Sequence, residues 1–267
     1  MSEELPTNDL WHYIDKATLE NRLIVIAITS SAQGALPSEG FPFGQGKSQL
    51  AMALSRDIYR RVYKLTTEEA EDKVMENMGY PLDDVKKMLR KGRVNRVMCH
   101  IQDDWQIPAG KHMSHEKSIQ KLAGILSSAR PYVAVFITTQ PDLSRIAKAM
   151  LGLYMFEIKV PERGLCEIQM IKTFTDFKNP LFPYQKLIPV GQAEIKEVSP
   201  RLDKWYQAWR DRNFSAEFES WVDEFLEEPK QEEPREKPSE SEASKAGKAM
   251  AEARWGRKID DKYLIEV

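Results

Sequence analysis

The segment from Gly40 to Ser48 combines glycines with a lysine and a hydroxyl residue, a combination suited to phosphate chemistry. Phosphate oxygens are bound by converging backbone N–H groups, which requires glycine where a side chain would intrude or φ must be positive. Gly44 and Gly46 stand at such places, and the Lys47 ammonium would reach the β- and γ-phosphates. The Ser48 hydroxyl would enter the shell of a Mg²⁺ ion. The segment therefore predicts a site for ATP and Mg²⁺.

The same residues reproduce most of the Walker A pattern, G-x-x-x-x-G-K-[ST]. The strict pattern has its first glycine at position 41, where this chain has Phe41 preceded by Gly40. Either the loop makes a wider bend with Gly40 as its pivot, or the residues from Ser30 to Pro42 have a second role, such as contacting a partner. A surface loop with a chance match is the alternative interpretation. The predicted ATP-binding residues are Gly44, Gln45, Gly46, Lys47, Ser48 and Gln49.

Two adjacent carboxylates follow an apolar run from Val97 to Ile101. A nucleoside triphosphatase needs a carboxylate at the end of such a strand to hold the Mg²⁺ shell, and we assign this role to Asp103, with Ser48 as the second metal-binding residue. Asp104 is predicted to orient the attacking water. Helix N-capping by the Asp103-Asp104 pair is the competing interpretation.

A second apolar run, Val133 to Ile137, ends in Thr138, Thr139 and Gln140. Polar side chains at the tip of the strand beside the Asp103 strand can contact the γ-phosphate or its water. We predict Gln140 as this sensor and Thr139 as the second choice, so that the predicted catalytic residues are Lys47, Asp104 and Gln140. Arg130 and Arg145 are both candidates for an arginine that acts on a neighbouring subunit.

Helical and strand-like segments alternate from Leu10 to about Val160, which predicts an α/β fold with a mainly parallel sheet flanked by helices. The core strands are predicted at 23–29, 96–101 and 132–138, because parallel strands buried on both faces appear as continuous apolar runs. Helices are predicted at 49–63, 66–78, 82–91 and 143–153. Strands are predicted at 154–160 and, antiparallel to it, 164–174.

The C-terminal third changes in composition. Residues 200–226 form an aromatic-rich amphipathic pattern that predicts a helix packed on the sheet domain, with base stacking as the alternative. Residues 227–244, nearly all Glu, Pro, Lys and Ser, predict a disordered linker. Residues 245–267 are predicted to be a basic element that docks a protein partner or DNA, or a helix without a partner. Residues 1–199 would form the ATPase domain.

The overall composition of the chain indicates which partners and which cellular location to expect. The net charge of −2 gives no evidence for nucleic-acid binding, although a local patch can still provide it. The two cysteines, Cys99 and Cys166, lie in apolar strand-like runs and are predicted to be buried thiols. No run approaches the ~18 apolar residues of a membrane span. We therefore expect a cytoplasmic protein without membrane contact.

These motifs resemble the additional-strand P-loop ATPases, in which a strand lies between the Walker A and Walker B strands. The charged stretches 73–77 and 82–85 and the Asp103-Asp104 pair before Trp105 are similar to the small ATPases of archaeal viruses and plasmids. The run from Thr138 to Pro141 is similar to the Thr-Gln-Pro of FtsK/HerA-type DNA translocases, where the glutamine is a sensor. The resemblance covers about residues 20–160 and implies a P-loop NTPase fold.

Together these observations predict an ATPase that acts on DNA in a mobile element, through replication initiation, packaging or partitioning, and that forms a homo-oligomer in its ATP state. The alternative is a nucleotide-dependent switch or adaptor that hydrolyses ATP slowly and recruits a partner through its C-terminal tail.

Overall fold

The structure is a computed structural model that describes residues 8–30, 46–80, 82–105, 117–162, 164–176, 179–194 and 196–226. The chain divides into two compact units, residues 1–213 and 214–267. The described part of the second unit, residues 214–226, is helical. Residues 40–45 of the glycine-rich segment, the predicted linker and the basic C-terminal element lie outside the described residues.

Helices and strands alternate along most of the first unit. The described helices are α1 (Asn8–Leu19), α2 (Lys47–Tyr63), α3 (Thr67–Glu76), α4 (Leu82–Gly92), α5 (Lys117–Ser127), α6 (Lys148–Leu151) and α7 (Pro200–Leu226). The described strands are β1 (Ile24–Ser30), β2 (Met78–Gly79), β3 (Val97–Gln102), β4 (Val133–Thr139), β5 (Tyr154–Glu162), β6 (Leu165–Asp176) and β7 (Asn179–Glu194).

Within the described residues the strands form one seven-stranded sheet in the order β2-β3-β4-β1-β5-β6-β7. Strands β2, β3, β4, β1 and β5 run parallel, whereas β6 and β7 are added antiparallel. Strand β4 lies between β1 and β3, so the additional strand that the resemblance implies is present. The carboxyl ends of β1, β3 and β4 therefore meet at one edge of the sheet.

Helices cover both faces of the sheet. Alternate residues of β1 divide between two hydrophobic clusters, with Ile26 on the first face and Ala27 on the second, as the two-residue period of a strand requires. The first face packs against α1, α2, α3 and the first turns of α7, and the second packs against α4, α5 and α6. Burial on both faces explains the continuous apolar sequence of the central strands. The α/β fold with a mainly parallel sheet is confirmed.

Individual elements also agree with the sequence. Cys99 and Cys166 are buried free thiols. Helix α3 begins with a capping box in which the Thr66 hydroxyl accepts from the Glu69 N–H and the Glu69 carboxylate accepts from the Thr66 N–H. In the part of the chain that the structure describes, no helix is long and apolar enough to cross a membrane.

Several regions differ from the sequence prediction. Helix α5 was not among the predicted helices, and Met78, at the end of the helix predicted at 66–78, lies in strand β2. The single helix predicted at 143–153 is a 3-10 turn at Leu143–Arg145 followed by α6, because Ile146 and Ala147 are extended and buried in the second cluster. Strand β7 was not predicted, since its prolines and glycine weaken the strand pattern. It pairs with β6 alone at the edge of the sheet, where proline is tolerated.

Candidate functional site

The first turn of α2 carries the described part of the predicted phosphate loop. Gly46 caps the helix with φ 89° and ψ 16°, a left-handed conformation that glycine adopts without strain. Its carbonyl accepts the first helical hydrogen bond from the Leu50 N–H at 2.8 Å. Lys47, Ser48 and Gln49 follow as the first helical residues, and the first turn contains no acidic residue. The positive end of the helix dipole is therefore available to an anion.

Asp103, which follows the last residue of β3, is the centre of the site. The residue is 2% exposed, and its carboxylate accepts hydrogen bonds from three hydroxyl groups. The Ser48 Oγ donates to Oδ1 at 2.9 Å, and the Thr139 Oγ1 donates to the same oxygen. The Tyr206 Oη donates to Oδ2 at 2.9 Å. We call Ser48, Asp103, Thr139 and Tyr206 the Asp103 cluster.

Each member of the Asp103 cluster comes from a different segment. Ser48 lies on α2, Thr139 ends β4, and Tyr206 lies on α7. These segments converge because the parallel strands β3 and β4 are neighbours and end at the same edge, where α2 begins. A buried ionised carboxylate requires such partners, since an unpaired charge in the interior is costly.

Asp104 has φ 45°, a left-handed backbone conformation that aspartate tolerates better than most residues. Its N–H donates to the Thr139 Oγ1 at 3.0 Å, and the Trp105 N–H donates to the Thr139 carbonyl at 2.9 Å. Thr139 thus fixes the carboxylate of Asp103 and the backbone of Asp104 together.

Lys47 lies among charged groups. Burial lowers the pKa of its ammonium group, while the charges of Asp104 and Asp103 oppose this shift and that of Arg210 adds to it. The two predicted carboxylates and Lys47 are therefore close enough to interact. Gln49 contacts α7, because its Nε2 donates to the Asp203 Oδ1 at 3.3 Å.

Gln140 has a different environment. Its N–H donates to the Ile28 carbonyl at 3.0 Å, and its side chain is fully buried without a hydrogen bond of ordinary geometry at either polar atom. The amide is near enough to the Tyr154 hydroxyl to lower the pKa of Tyr154, which burial raises overall. Tyr154 belongs to the second hydrophobic cluster. Among the sensor candidates, Thr139 contacts Asp103, whereas Gln140 faces the Tyr154 side.

Of the two arginine candidates, Arg130 lies far from the site within one subunit. Arg130 is exposed before the amino end of β4, and Asp103 follows the carboxyl end of the neighbouring β3. At ~3.3 Å per residue, the length of β4 separates them by roughly 20 Å. Arg145 lies in the 3-10 turn, and its side chain is outside the described part of the chain.

The contribution of α7 to the site was not predicted from the sequence. Its aromatic residues were predicted to pack as core, and this is confirmed for Trp205, Tyr206 and Trp209, which join the first cluster together with Leu202. The hydroxyl of Tyr206 reaches across 103 residues of sequence to Asp103. A helical pattern of aromatic residues indicates which face of the helix is buried, but it does not identify the residue that this face contacts.

The oxygen donors of the site fit Mg²⁺. This ion binds one or two carboxylates with hydroxyl, phosphate and water oxygens, and the Ser48 Oγ lies 2.9 Å from the Asp103 Oδ1. In the described residues, no group of three or more His, Cys, Asp or Glu side chains is arranged to hold a metal ion by itself. Phosphate oxygens and water would therefore have to complete the shell.

No family model matches this chain, and no curated protein matches it. Among solved structures, the chain is similar to the N-terminal domain of zonular occludens toxin from Neisseria meningitidis. The similarity has a TM-score of 0.34 and 12% sequence identity, and it covers 67% of this chain and 96% of that chain. A likeness of this size defines neither the fold nor the function of this chain.

Proposed function

We propose that this protein binds ATP with Mg²⁺ at the carboxyl edge of its sheet and hydrolyses it. The observation that carries the proposal is the hydrogen bond from the Ser48 hydroxyl to the Asp103 carboxylate. It joins the lysine-serine end of the glycine-rich segment to the carboxylate that follows a neighbouring buried strand, the two parts that nucleotide chemistry requires together. Within the described residues, the sheet order, with β4 between β1 and β3, supports the same proposal.

The residues have separable roles. Gly46 and the N-terminus of α2 supply backbone N–H groups and positive potential to phosphate oxygens, and Lys47 supplies a full charge. Ser48 and Asp103 hold Mg²⁺, which when bound neutralises charge on the phosphates. The charge of Asp104 acts on Lys47, and Asp104 is the candidate for orienting the attacking water. Gly44 and Gln45 are proposed to complete the loop, and Gln49 is held against α7.

The first test is ATP binding measured by calorimetry for the wild-type protein and for Lys47→Ala. We expect the substitution to lower ATP affinity by at least about tenfold, since a charge-assisted hydrogen bond is lost. Arg60→Ala is the matched control, because Arg60 is an exposed cation in the last turn of the same helix. Wild-type protein that binds no ATP, or Lys47→Ala protein that binds it equally well, would overturn the proposal.

The second test separates binding from hydrolysis. Asp104→Asn should retain Mg·ATP binding and lose turnover, because an amide cannot act as a base. Asp103→Asn should instead weaken the dependence of ATP binding on Mg²⁺. If Asp104→Asn weakens Mg·ATP binding and keeps the turnover per bound nucleotide, the two roles have been assigned wrongly.

We further propose that ATP hydrolysis serves an action on DNA in a mobile element, with assembly of a homo-oligomer in the ATP state. The likeness of residues 138–141 to FtsK/HerA-type translocases supports this step, and the basic residues 245–258 supply candidate phosphate contacts. Turnover that rises several-fold with DNA favours this role. Tight ATP binding with negligible turnover, with or without DNA, favours a nucleotide-dependent switch that recruits a partner through its tail.

A further inference from the structure

One face of α7 contacts the proposed nucleotide site at two successive places and carries an arginine one turn further. Asp203, Tyr206 and Arg210 are spaced three and four residues apart, so they lie along one side of the helix. Asp203 accepts from Gln49 at 3.3 Å, and Tyr206 donates to Asp103 at 2.9 Å. Arg210 lies one turn further along the same side of the helix, four residues after Tyr206.

We propose that α7 forms a third wall of the nucleotide site, in which Tyr206 positions the Asp103 carboxylate and Arg210 is a second phosphate-binding cation beside Lys47. The proposal rests on the proposed function and assigns residues to the same site. It places parts of the site on a helix about 150 residues after the glycine-rich segment, outside the region that the motif likeness covers.

The positioning role of Tyr206 follows from the two oxygens of Asp103. Ser48 and Thr139 both donate to Oδ1, whereas Tyr206 is the described donor to Oδ2. A carboxylate held at one oxygen can turn about its terminal torsion, which is soft, but one held at both oxygens has a fixed plane. The Tyr206 hydroxyl thus fixes the direction in which Asp103 presents its oxygens to a metal ion.

The tyrosine is itself held rigidly. Its side chain is 5% exposed and stacks on Trp209 with ring centroids 6.0 Å apart and an interplanar angle of 26°. Trp209 in turn stacks on Trp205 and meets Tyr80 edge-on. Leu202, one turn before Tyr206, is fully buried in the first cluster. The packing of α7 therefore delivers the hydroxyl to Asp103 at a defined position.

The role of Arg210 follows from charge. The Arg210 side chain is exposed, and it forms no ion pair with any residue that the structure describes. Arg210 adds a positive charge to the side of α7 that contacts the first turn of α2, and the N-terminus of α2 is itself positive. A polyanion is attracted to both groups, and a guanidinium can bind two phosphate oxygens at once. A nucleoside triphosphate is a polyanion of this kind.

Two pairs of variants test the two roles. Tyr206→Phe removes one hydroxyl and keeps the ring, and Tyr59→Phe is its control, because the buried Tyr59 hydroxyl donates to the Cys99 carbonyl away from the Asp103 cluster. Arg210→Gln removes the charge, and Arg212→Gln is its control, because exposed Arg212 lies two residues further and bonds the Ala208 carbonyl. Each protein is titrated with ATP in EDTA and then with Mg²⁺ at fixed ATP, by calorimetry.

Mg²⁺ should strengthen ATP binding, and we expect Tyr206→Phe to raise the Mg²⁺ concentration that gives half of this effect by about fivefold or more. The ATP affinity measured without metal should stay within about twofold of the wild-type value. Arg210→Gln should weaken ATP binding by about tenfold both with and without Mg²⁺, and Arg210→Lys should restore part of it. Both controls should match wild type. Circular dichroism and melting curves establish whether the Tyr206→Phe protein remains folded. The Arg210 side chain is exposed, so its substitution should leave the fold intact.

The outcomes separate this inference from the proposed function. If wild type binds ATP, Lys47→Ala does not, and Tyr206→Phe and Arg210→Gln bind ATP and Mg²⁺ as wild type does, then the nucleotide site stands and α7 has no part in it. If Arg212→Gln weakens ATP binding as much as Arg210→Gln, the effect is general surface charge and the assignment of Arg210 is wrong. Wild-type protein that binds no ATP overturns both proposals.

Discussion

The carboxyl edge of the sheet carries polar side chains on both faces, and the environment of these side chains differs between the two faces. On the first face, Asp103 has three hydroxyl donors and lies near Lys47 and Asp104. On the second face, the Gln140 amide is buried without a hydrogen bond of ordinary geometry, and burial raises the pKa of Glu157. The first face is organised to keep charges together, whereas the second favours neutral forms of its polar groups.

The contrast is sharpest at two adjacent residues. Thr139 connects Asp103 and Asp104, whereas Gln140, the next residue, is directed toward Tyr154. Because successive side chains of a strand point to opposite faces, a shift of one residue decides which environment a side chain enters. Substitutions on the two faces therefore separate the contribution of the first face to stability and ATP binding from that of the second face.

The largest effect should come from Thr139→Val, which has nearly the same shape but lacks the hydroxyl. Loss of the donor to Asp103 and of the acceptor for the Asp104 N–H should lower the free energy of unfolding by about 2–3 kcal/mol. It should also weaken the dependence of ATP binding on Mg²⁺. Chemical denaturation and calorimetry measure the two effects.

Thr29→Val is the matched control for Thr139→Val. Thr29 is a buried threonine of β1 whose hydroxyl donates to the Glu157 Oε1 at 2.8 Å on the second face. This variant should lose stability and keep the Mg²⁺ dependence of wild type. Equal Mg²⁺ dependence in both variants would contradict a special role for the first face.

The second prediction concerns acid stability and His100. This side chain stacks on Phe136 on the second face, and burial lowers its pKa to about 4. Because the unfolded chain binds the proton first, the stability contributed by neutral His100 is complete above about pH 6.5 and is lost as pH falls toward 4. Wild type should lose about 2 kcal/mol from this group between pH 7.5 and pH 5.

His100→Phe keeps an aromatic ring on Phe136 and removes the titration. Its free energy of unfolding should therefore change less between pH 7.5 and pH 5 than that of wild type, by about 2 kcal/mol. The exposed His12 provides the control variant, His12→Gln, which should follow the wild-type curve. An unchanged pH dependence in His100→Phe would show that other groups cause the loss.

The third prediction has the opposite sign. Gln140→Leu removes a buried amide that has no partner of ordinary geometry, so the free energy of unfolding should rise by about 1 kcal/mol. ATP affinity should remain that of wild type, because the amide faces Tyr154. Denaturation and ATP titration check both statements. Loss of turnover with ATP affinity retained would instead support the sensor role predicted from the sequence.

Much of the fold could be predicted from the sequence, because the central strands are apolar on both faces and helices α2, α3 and α4 have clear periodicity. The positions of Asp103 and Thr139 at strand ends followed from the same pattern. Strand β7 was missed because an edge strand need not have a continuous apolar sequence, and its prolines obscure the signal. Local patterns therefore identify the centre of the sheet better than its edge.

The candidate site could be predicted only in part. Lys47, Ser48 and Asp103 belong to short motifs whose chemistry is visible in sequence, and the structure brings them together. The part of Tyr206 could not be predicted, because it depends on the angle at which α7 packs over the sheet. The direction of the Gln140 side chain also depends on how the chain leaves β4, which a motif of four residues does not determine.

The smallest effect is expected at Glu157 on the second face. Burial raises its pKa, while the Thr29 hydrogen bond and Lys159, whose Nζ lies 3.9 Å from its carboxylate, partly oppose the shift. The folded state thus binds the proton more strongly than the unfolded state. Stability from this group is complete below the ordinary pKa of glutamate and is lost as pH rises through the raised value.

Glu157→Gln keeps an oxygen that accepts from Thr29 and removes the charge. The variant should be more stable than wild type at pH 8, and the difference should shrink as pH falls below the ordinary glutamate range. Denaturation curves at pH 4, 6 and 8 test this, with Glu167→Gln, a partly exposed glutamate of β6, as the control. If wild type is the more stable protein at pH 8, the pairing with Lys159 outweighs burial, and the second face holds a charge after all.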